Sequence, residues 1–415
     1  MTKRLLSLAA ISVLAISGAD ANSSSEIKEL KSNMATMQKQ IEKLEKENKT
    51  IVKAHAPVLK FSGTHYLGFV SSSADYVDGS TGSSNYFETR RNYLQVKAYF
   101  DEDPKSYVRV TLDTHQIHNS VDDDSDIHFG DTGDWEVRLK YAYLYLDNVL
   151  PGTGVEFGQA HRPWIDYEEH HSWLFRSIQK TFVEAGHGAD WTNSADLGIN
   201  FKTRTEYFSS ELGAFNGEGY HGTFDTGSHE SDGNKLSLEW RVTGHILGTG
   251  EKHVHKSDSY ADLSFFGQYN TGYEKKGGVD PVTGDGKEFT WYGLNAVYNQ
   301  AMFLIAADYL KSTDAASKYA GKGWSVNGEL RLGEMTESLY DFGLLARYDD
   351  FSYDSYKLDE KKTTIAGLYY DWNKNVAFIL NWEQDKTSYN TLVAEPKGSD
   401  KRENDAILFT AEVNW

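Results

Sequence analysis

The sequence predicts an all-β fold, a transmembrane antiparallel β-barrel of about 16 strands, preceded by a short α-helical coiled coil. Three observations carry this. From Val58 onward, apolar and polar residues alternate with a period of two, in runs of about ten residues, the length a tilted membrane strand needs. The connections between runs alternate between tight and long. The chain opens on an export signal, contains 0 Cys, and is rich in Gly (36) and Tyr (26).

The export signal comes first. Lys3 and Arg4 precede an apolar stretch from Leu5 to Ile16, and Ala19-Asp20-Ala21 offers a small-residue cleavage site. Residues 1–21 therefore read as a signal peptide, with an apolar run too short to span a membrane.

Residues 22–53 change period. Ile27, Leu30, Met34, Met37, Ile41, Leu44, Asn48 and Ile51 recur at alternating spacings of three and four, an a/d seam flanked by Lys and Glu. Asn48 is a polar seam position of the kind that sets register. About four heptads make a marginal helix alone, so partners are expected. The mixed Ile, Leu and Met seam leaves two strands or three open.

Residues 57–415 are the expected barrel. Its runs begin with LKFSGTHYLGFV, RRNYLQVKAYF and KSYVRVTLDTH and end with TTIAGLYYDW, NVAFILNW and DAILFTAEVNW. DEDP, TRT, NQ and NKN are tight connections. VSSSADYVDGSTGSSNY, QIHNSVDDDSDIHFGDTGD and NTGYEKKGGVDPVTGDGKE are expected as long, polar external loops. An even strand count returns both ends to the periplasmic side, and the helix with them.

The alternation assigns faces. Ile407, Phe409, Ala411, Val413 and Trp415 share one face of the last run, expected towards lipid. Leu94, Val96, Ala98, Val108, Val110, Leu112, Val137, Leu139 and Tyr141 are expected outward. Arg91, Lys97, Arg109, Arg138 and Lys140 are then expected on one lumen wall. Later runs mix signs inward, as in Glu239 with Arg241 and Arg347 with Asp349.

Two stretches carry a family resemblance. FETRRNYLQVKAYFDEDPKSYVRVTLD opens a strand on an Arg pair, turns, and begins the next strand. YAYLYLDNVLPGTGVEFGQAHRPWIDYEEHHSWLFRS runs through two strands to Gly158-Gln159, then Pro163 and a loop closing near Arg176. Over roughly residues 86–177 the chain resembles the phosphate-selective porin O and P family; beyond them the likeness is architectural. The resemblance implies a homotrimeric, sixteen-strand Gram-negative outer-membrane porin with a loop folded into the pore. Members that take phosphate line the pore with Arg and Lys. Here the loop from Ala160 to Trp191 carries Asp166, Glu168 and Glu169 beside Arg162 and Arg176, a mixed set that departs from that pattern.

The function expected is passive diffusion of small polar solutes or ions, weakly selective, with a basic wall facing an acidic loop across the pore. An anion- or phosphate-selective porin is one alternative. A structural tether, with the coiled coil holding peptidoglycan or a periplasmic protein, is another. Lipid and lipopolysaccharide are the expected surroundings. The balance of 42 basic and 61 acidic residues, a charge of -19, argues against nucleic acid. No G-x-S-x-G nucleophile motif suggests an enzyme, and no cofactor is expected. His170-His171 and His253-x-His255 lack a third ligand at useful spacing and read as solvated loop histidines.

Overall fold

The computed structural model describes residues 23–54, 57–100, 103, 105–116, 135–217, 219–220, 236–252, 254–271, 287–312, 319–354, 358–391 and 396–415. It divides into two units, Met1–Pro57 and Val58–Trp415. In the first, helix α1 spans Ser23–Ala54. Its sequence holds no Gly or Pro, opens on serines and is rich in Lys and Glu, all favourable to a helix. The seam side chains of Leu30, Met34, Met37, Ile41 and Leu44 are exposed. Ile27, Asn48 and Ile51 lie in the helix, but their side chains fall outside the described residues.

The second unit is a closed barrel of sixteen strands in which each strand pairs with its sequence neighbours and β1 pairs with β16. Every pairing is antiparallel, so closure leaves no free edge. Strands β1 (Val58–Tyr76), β2 (Thr81–Tyr99), β3 (Tyr107–Gln116), β4 (Trp135–Leu150) and β5 (Thr153–His161) form one wall. A loop with a short helix, α2 (Ile165–His171), follows. The rest are β6 (Ala195–Arg204), β7 (Phe208–Phe215), β8 (Ser237–Leu247), β9 (Tyr260–Asn270), β10 (Phe289–Gln300) and β11 (Phe303–Ser312). They continue with β12 (Gly321–Arg331), β13 (Phe342–Tyr353), β14 (Leu358–Asn373), β15 (Val376–Tyr389) and β16 (Lys401–Asn414).

Burial follows the alternation. On β16, Ile407 and Phe409 are exposed while Leu408 and Thr410 are buried. The outward side chains are apolar because a charge facing lipid is costly.

Two connections differ from the sequence expectation. The stretch VSSSADYVDGSTGSSNY is not a long loop: β1 and β2 run through it and meet at a turn over residues 77–80. Its Ser, Thr and Tyr still alternate, so the ladder extends beyond the apolar belt, and Ser72 and Ser84 hydrogen-bond across it at 2.8 Å. The turn itself is built by Asp78, which accepts the Ser80 N–H at 2.8 Å, and by Gly79 at φ +84. On the opposite end, the β8–β9 connection is longer than a tight turn, and its Val254, His255 and Lys256 reach the lumen. The acidic stretches at 117–134 and 272–286, and Lys235, lie outside the described residues.

Candidate functional site

The β5–β6 connection enters the barrel and crosses it. It is rooted by Gly158, whose φ of +124 and contact with the Ala142 carbonyl leave no place for a Cβ. Arg162 then forms a buried ion pair with Glu239 on β8, its Nε 2.9 and 3.0 Å from the carboxylate oxygens. Trp164 stacks on Phe266 of β9 at 3.6 Å between ring centres. Tyr167 donates to Asp262 at 2.6 Å, and Arg241 lies 4.2 Å over its ring. Further along, Gln179 donates to Glu383 on β15 at 2.9 Å, and Arg347 on β13 donates to the Lys180 carbonyl at 2.8 Å. On the other side of the lumen, Arg90 of β2 donates to the carbonyls of Ser177 and Ile178 at 3.1 and 2.9 Å. The loop is thus tied to strands on both sides and packs its aromatic residues, Trp164, Phe182 and Trp191, into one core with Phe266, Trp291 and Phe351.

The loop's own charges are paired. Arg176 bridges Glu169 and Glu184, the latter at 2.6 Å, and Lys180 lies 3.4 Å from Glu184. Burial pushes the Glu184 carboxyl up, but Arg176 and Lys180 outweigh it and hold it well below the usual range. Burial also raises Asp166, and the nearby His161 and His170 more than offset this; each lies 3.8 Å away. Glu168 has the opposite fate. Burial, and then the charge of Asp308, push its carboxyl well above the ordinary range against the pull of Arg347. His171 stacks on Tyr167 at 3.9 Å, and burial lowers its imidazole to about 4. The two histidines of the pair do not share a direction: His171 is half-buried, whereas His170 is exposed.

Opposite the packed loop, β1–β4 line an open cavity of about 550 Å³. Arg109, Lys140, Tyr66, Tyr93 and Tyr141 form its strand wall. Asp166, Glu169, His170, Leu174 and Arg176 come from the loop, and Val254, His255 and Lys256 from the 248–259 segment. Two β-bulges shape the wall. Tyr66 pairs with Arg91 and Leu67 with Thr89, so Arg90 is an extra residue. Thr111 pairs with Tyr141 and Leu112 with Leu139, so Lys140 is extra. The second bulge corrects the sequence expectation for Tyr141, which is buried on the lumen side with Arg109 over its ring at 4.5 Å, not outward in lipid. Tyr143 and Tyr145 turn inward with it.

The ten expected pore residues separate accordingly. Arg109, Lys140, Asp166, Glu169 and Arg176 meet at the cavity. Arg91 is held by Asp113 at 2.6 Å and Arg138 by Glu136 at 2.5 Å. Lys97 lies 4.7 Å over Tyr107. Arg162 and Glu168 do not face the cavity and stand corrected as lining residues; both are buried between loop and wall, 2% exposed. Alternation missed Arg90, Tyr66, Tyr93 and the 254–256 segment. Nothing in the local pattern marks Arg90 as a bulge residue or 254–256 as lining.

No family model and no curated protein matches the sequence, so the likeness to the phosphate-selective porin O and P family rests on its two stretches. Solved structures do match. An anion-selective porin from Comamonas acidovorans superposes with a TM-score of 0.56 at 11% identity, covering 86% of this chain and 99% of that one. OmpT of Vibrio cholerae, in its in-vitro folded trimer form, gives 0.51 at 12%, covering 87% and 100%. The outer membrane channel DcaP of Acinetobacter baumannii gives 0.51 at 9%, covering 87% and 98%. At such identities the likeness establishes the fold: a sixteen-strand barrel of the outer-membrane porin type.

Proposed function

We propose that the chain is an outer-membrane porin that passes small hydrophilic solutes or ions by diffusion, without catalysis or cofactor. One observation carries this reading. The in-folded loop fills one side of the lumen and leaves a charged cavity of about 550 Å³ along the other. A pathway narrowed on one side by a fixed loop and lined by charged side chains is how channels combine permeability with selection. The similar barrels described as an anion-selective porin and an outer membrane channel agree with it.

The assembly proposed is a homotrimer in lipid and lipopolysaccharide. The exposed apolar seam of α1 would be covered by two further copies in a periplasmic coiled coil, from residues 22–53 of the mature chain. Burying five exposed apolar side chains per helix favours association. One neighbour is described as a trimer. The tether reading adds a role to the same helix: contact with peptidoglycan or a periplasmic protein.

The test is single-channel recording in a planar bilayer under a KCl gradient. Discrete channels with a modest reversal potential support the reading. Folded protein that never conducts would leave the tether in its place. The anion-selective alternative has its own support in Lys60, Lys97, Arg109 and Lys140 of the β1–β4 wall, which have no carboxylate within 4 Å among the described residues, and it predicts an anion-side potential.

A further inference from the structure

We propose that the β1–β4 wall binds amphiphilic organic anions with an aromatic ring, aromatic carboxylates being the simplest class. The proposal deepens the porin reading by naming the solute class its lumen would retain.

Lys60, Lys97 and Arg109 sit directly opposite one another on β1, β2 and β3. Like charges in such register repel. Among the described residues, no carboxylate oxygen lies within 4 Å of any of them, or of Lys140; elsewhere on the lumen wall Arg91, Arg162, Lys202, Arg241, Arg331 and Arg347 are all carboxylate-paired. The wall cations rest instead on tyrosine faces. Lys60 lies 4.8 Å over Tyr99, Lys97 4.7 Å over Tyr107, Arg109 4.5 Å over Tyr141 and Lys140 4.2 Å over Tyr93. A ring face holds a cation without neutralising it.

Donors remain available. Arg109 uses Nε on Thr111 and Nη1 on Tyr143 and His161, while its Nη2 has no hydrogen bond among the described residues. Lys140 donates to the Tyr93 hydroxyl at 3.0 Å, with two ammonium hydrogens to spare. Both face the cavity, where a carboxylate would meet two charged donors. The loop acids across from them, Asp166 and Glu169, already have His161, His170 and Arg176 as partners. Glu412 on β16 also lines the cavity and would repel an anion, which places the carboxylate at the β3–β4 side.

Among polar side chains such as Ser62, Thr64, Gln95 and Asn414, the lining also offers surfaces for an apolar body. Tyr66 meets Tyr93 edge-on at 6.3 Å, and Leu174 and Val254 face the same space. Inorganic phosphate would use the charges and leave these surfaces unmatched. A volume of about 550 Å³ falls in the range of about 300–1,000 Å³ typical of small-molecule sites.

The experiment is calorimetric titration of the full, detergent-folded protein with benzoate, acetate and inorganic phosphate, paired with benzoate block of single channels. Benzoate should bind about tenfold tighter than acetate or phosphate and interrupt the current. Arg109→Gln and Lys140→Gln should each weaken it about tenfold. Lys97→Gln, at a half-exposed position, should weaken it less, and Lys105→Gln, on an exposed turn, not at all. Equal binding of phosphate and benzoate would overturn the aromatic assignment. Unchanged binding in Arg109→Gln and Lys97→Gln would overturn the location. Benzoate binding without conduction would keep the site and remove the porin reading; conduction without benzoate binding would do the reverse.

Discussion

Arg347 and Arg109 both point into the lumen, and their surroundings differ in kind. Arg347 on β13 is 2% exposed, paired with Asp349 at 2.7 Å, covered by Trp173 and donating to the loop backbone. Arg109 on β3 is half-exposed, rests on two tyrosines and has no carboxylate within 4 Å among the described residues. The same contrast runs through the two walls. From β8 to β15 much of the lumen surface is an interior, closed by aromatic stacking and by buried ion pairs such as Arg162–Glu239 and Arg347–Asp349. From β1 to β4 the wall borders the open cavity, and Lys60, Lys97, Arg109 and Lys140 have no carboxylate within 4 Å among the described residues. A buried charge must be paired because desolvation is expensive, so pairing marks structure. A cation left on a ring face beside open water is available to a solute.

Breaking the packed wall should have the largest effect. Arg162→Ala leaves Glu239 buried without a counter-charge and should cost about 3–5 kcal/mol of stability. Thermal unfolding followed by tryptophan fluorescence measures it. Single-channel conductance should also rise as the loop root loosens; an unchanged conductance would mean that the loop is held elsewhere.

The pH dependence of the packed wall is the next test. The Glu168 carboxyl is raised, so the stability tied to its neutral form is full below the unfolded carboxylate value of about 4.3 and is lost as pH rises through the folded value. Glu168→Gln should remove this loss and stabilise the protein on the high-pH side, read from melting curves at several pH values. His171 has the opposite sign. Its lowered imidazole contributes stability above about 6.5 that is lost as pH falls towards about 4. Glu184 remains ionised through this range, because its shift is downward.

The open wall should respond in selectivity and hardly in stability. Arg109→Gln should change stability by less than about 1 kcal/mol, yet move the reversal potential towards cations. A loss of several kcal/mol would mean that Arg109 is structural and would erase the distinction between the walls. In the other unit, Met37→Asp should shift the detergent-extracted oligomer towards monomer on size exclusion with light scattering, leaving barrel stability unaffected.

How much of this was legible in sequence can be judged at particular residues. The outward run Val108, Val110, Leu112 was readable because lipid tolerates only apolar side chains there. Lys97 and Arg109 followed from the same alternation. Tyr141 did not, because one bulge at Lys140 shifts every later face on β4, and bulges leave no reliable mark on hydrophobic period. The turn at residues 77–80 is hidden in sequence because serine-rich strands beyond the apolar belt look like connections. The burial of Arg162 and Glu168 is not legible either, because a loop's charges do not announce which of them will be buried.

By itself the sequence determined the class of structure: a heptad helix and a series of period-two runs that can satisfy their backbone in a membrane only by closing into a barrel. Those are local and periodic properties, fixed by side-chain order. Only the tertiary structure decided which charges are neutralised. Arg162 and Glu239 are 77 positions apart in the chain, and Gln179 and Glu383 are separated by 204. Their meeting depends on register, two bulges and the path of one loop across the lumen, and that meeting separates the packed wall from the open one.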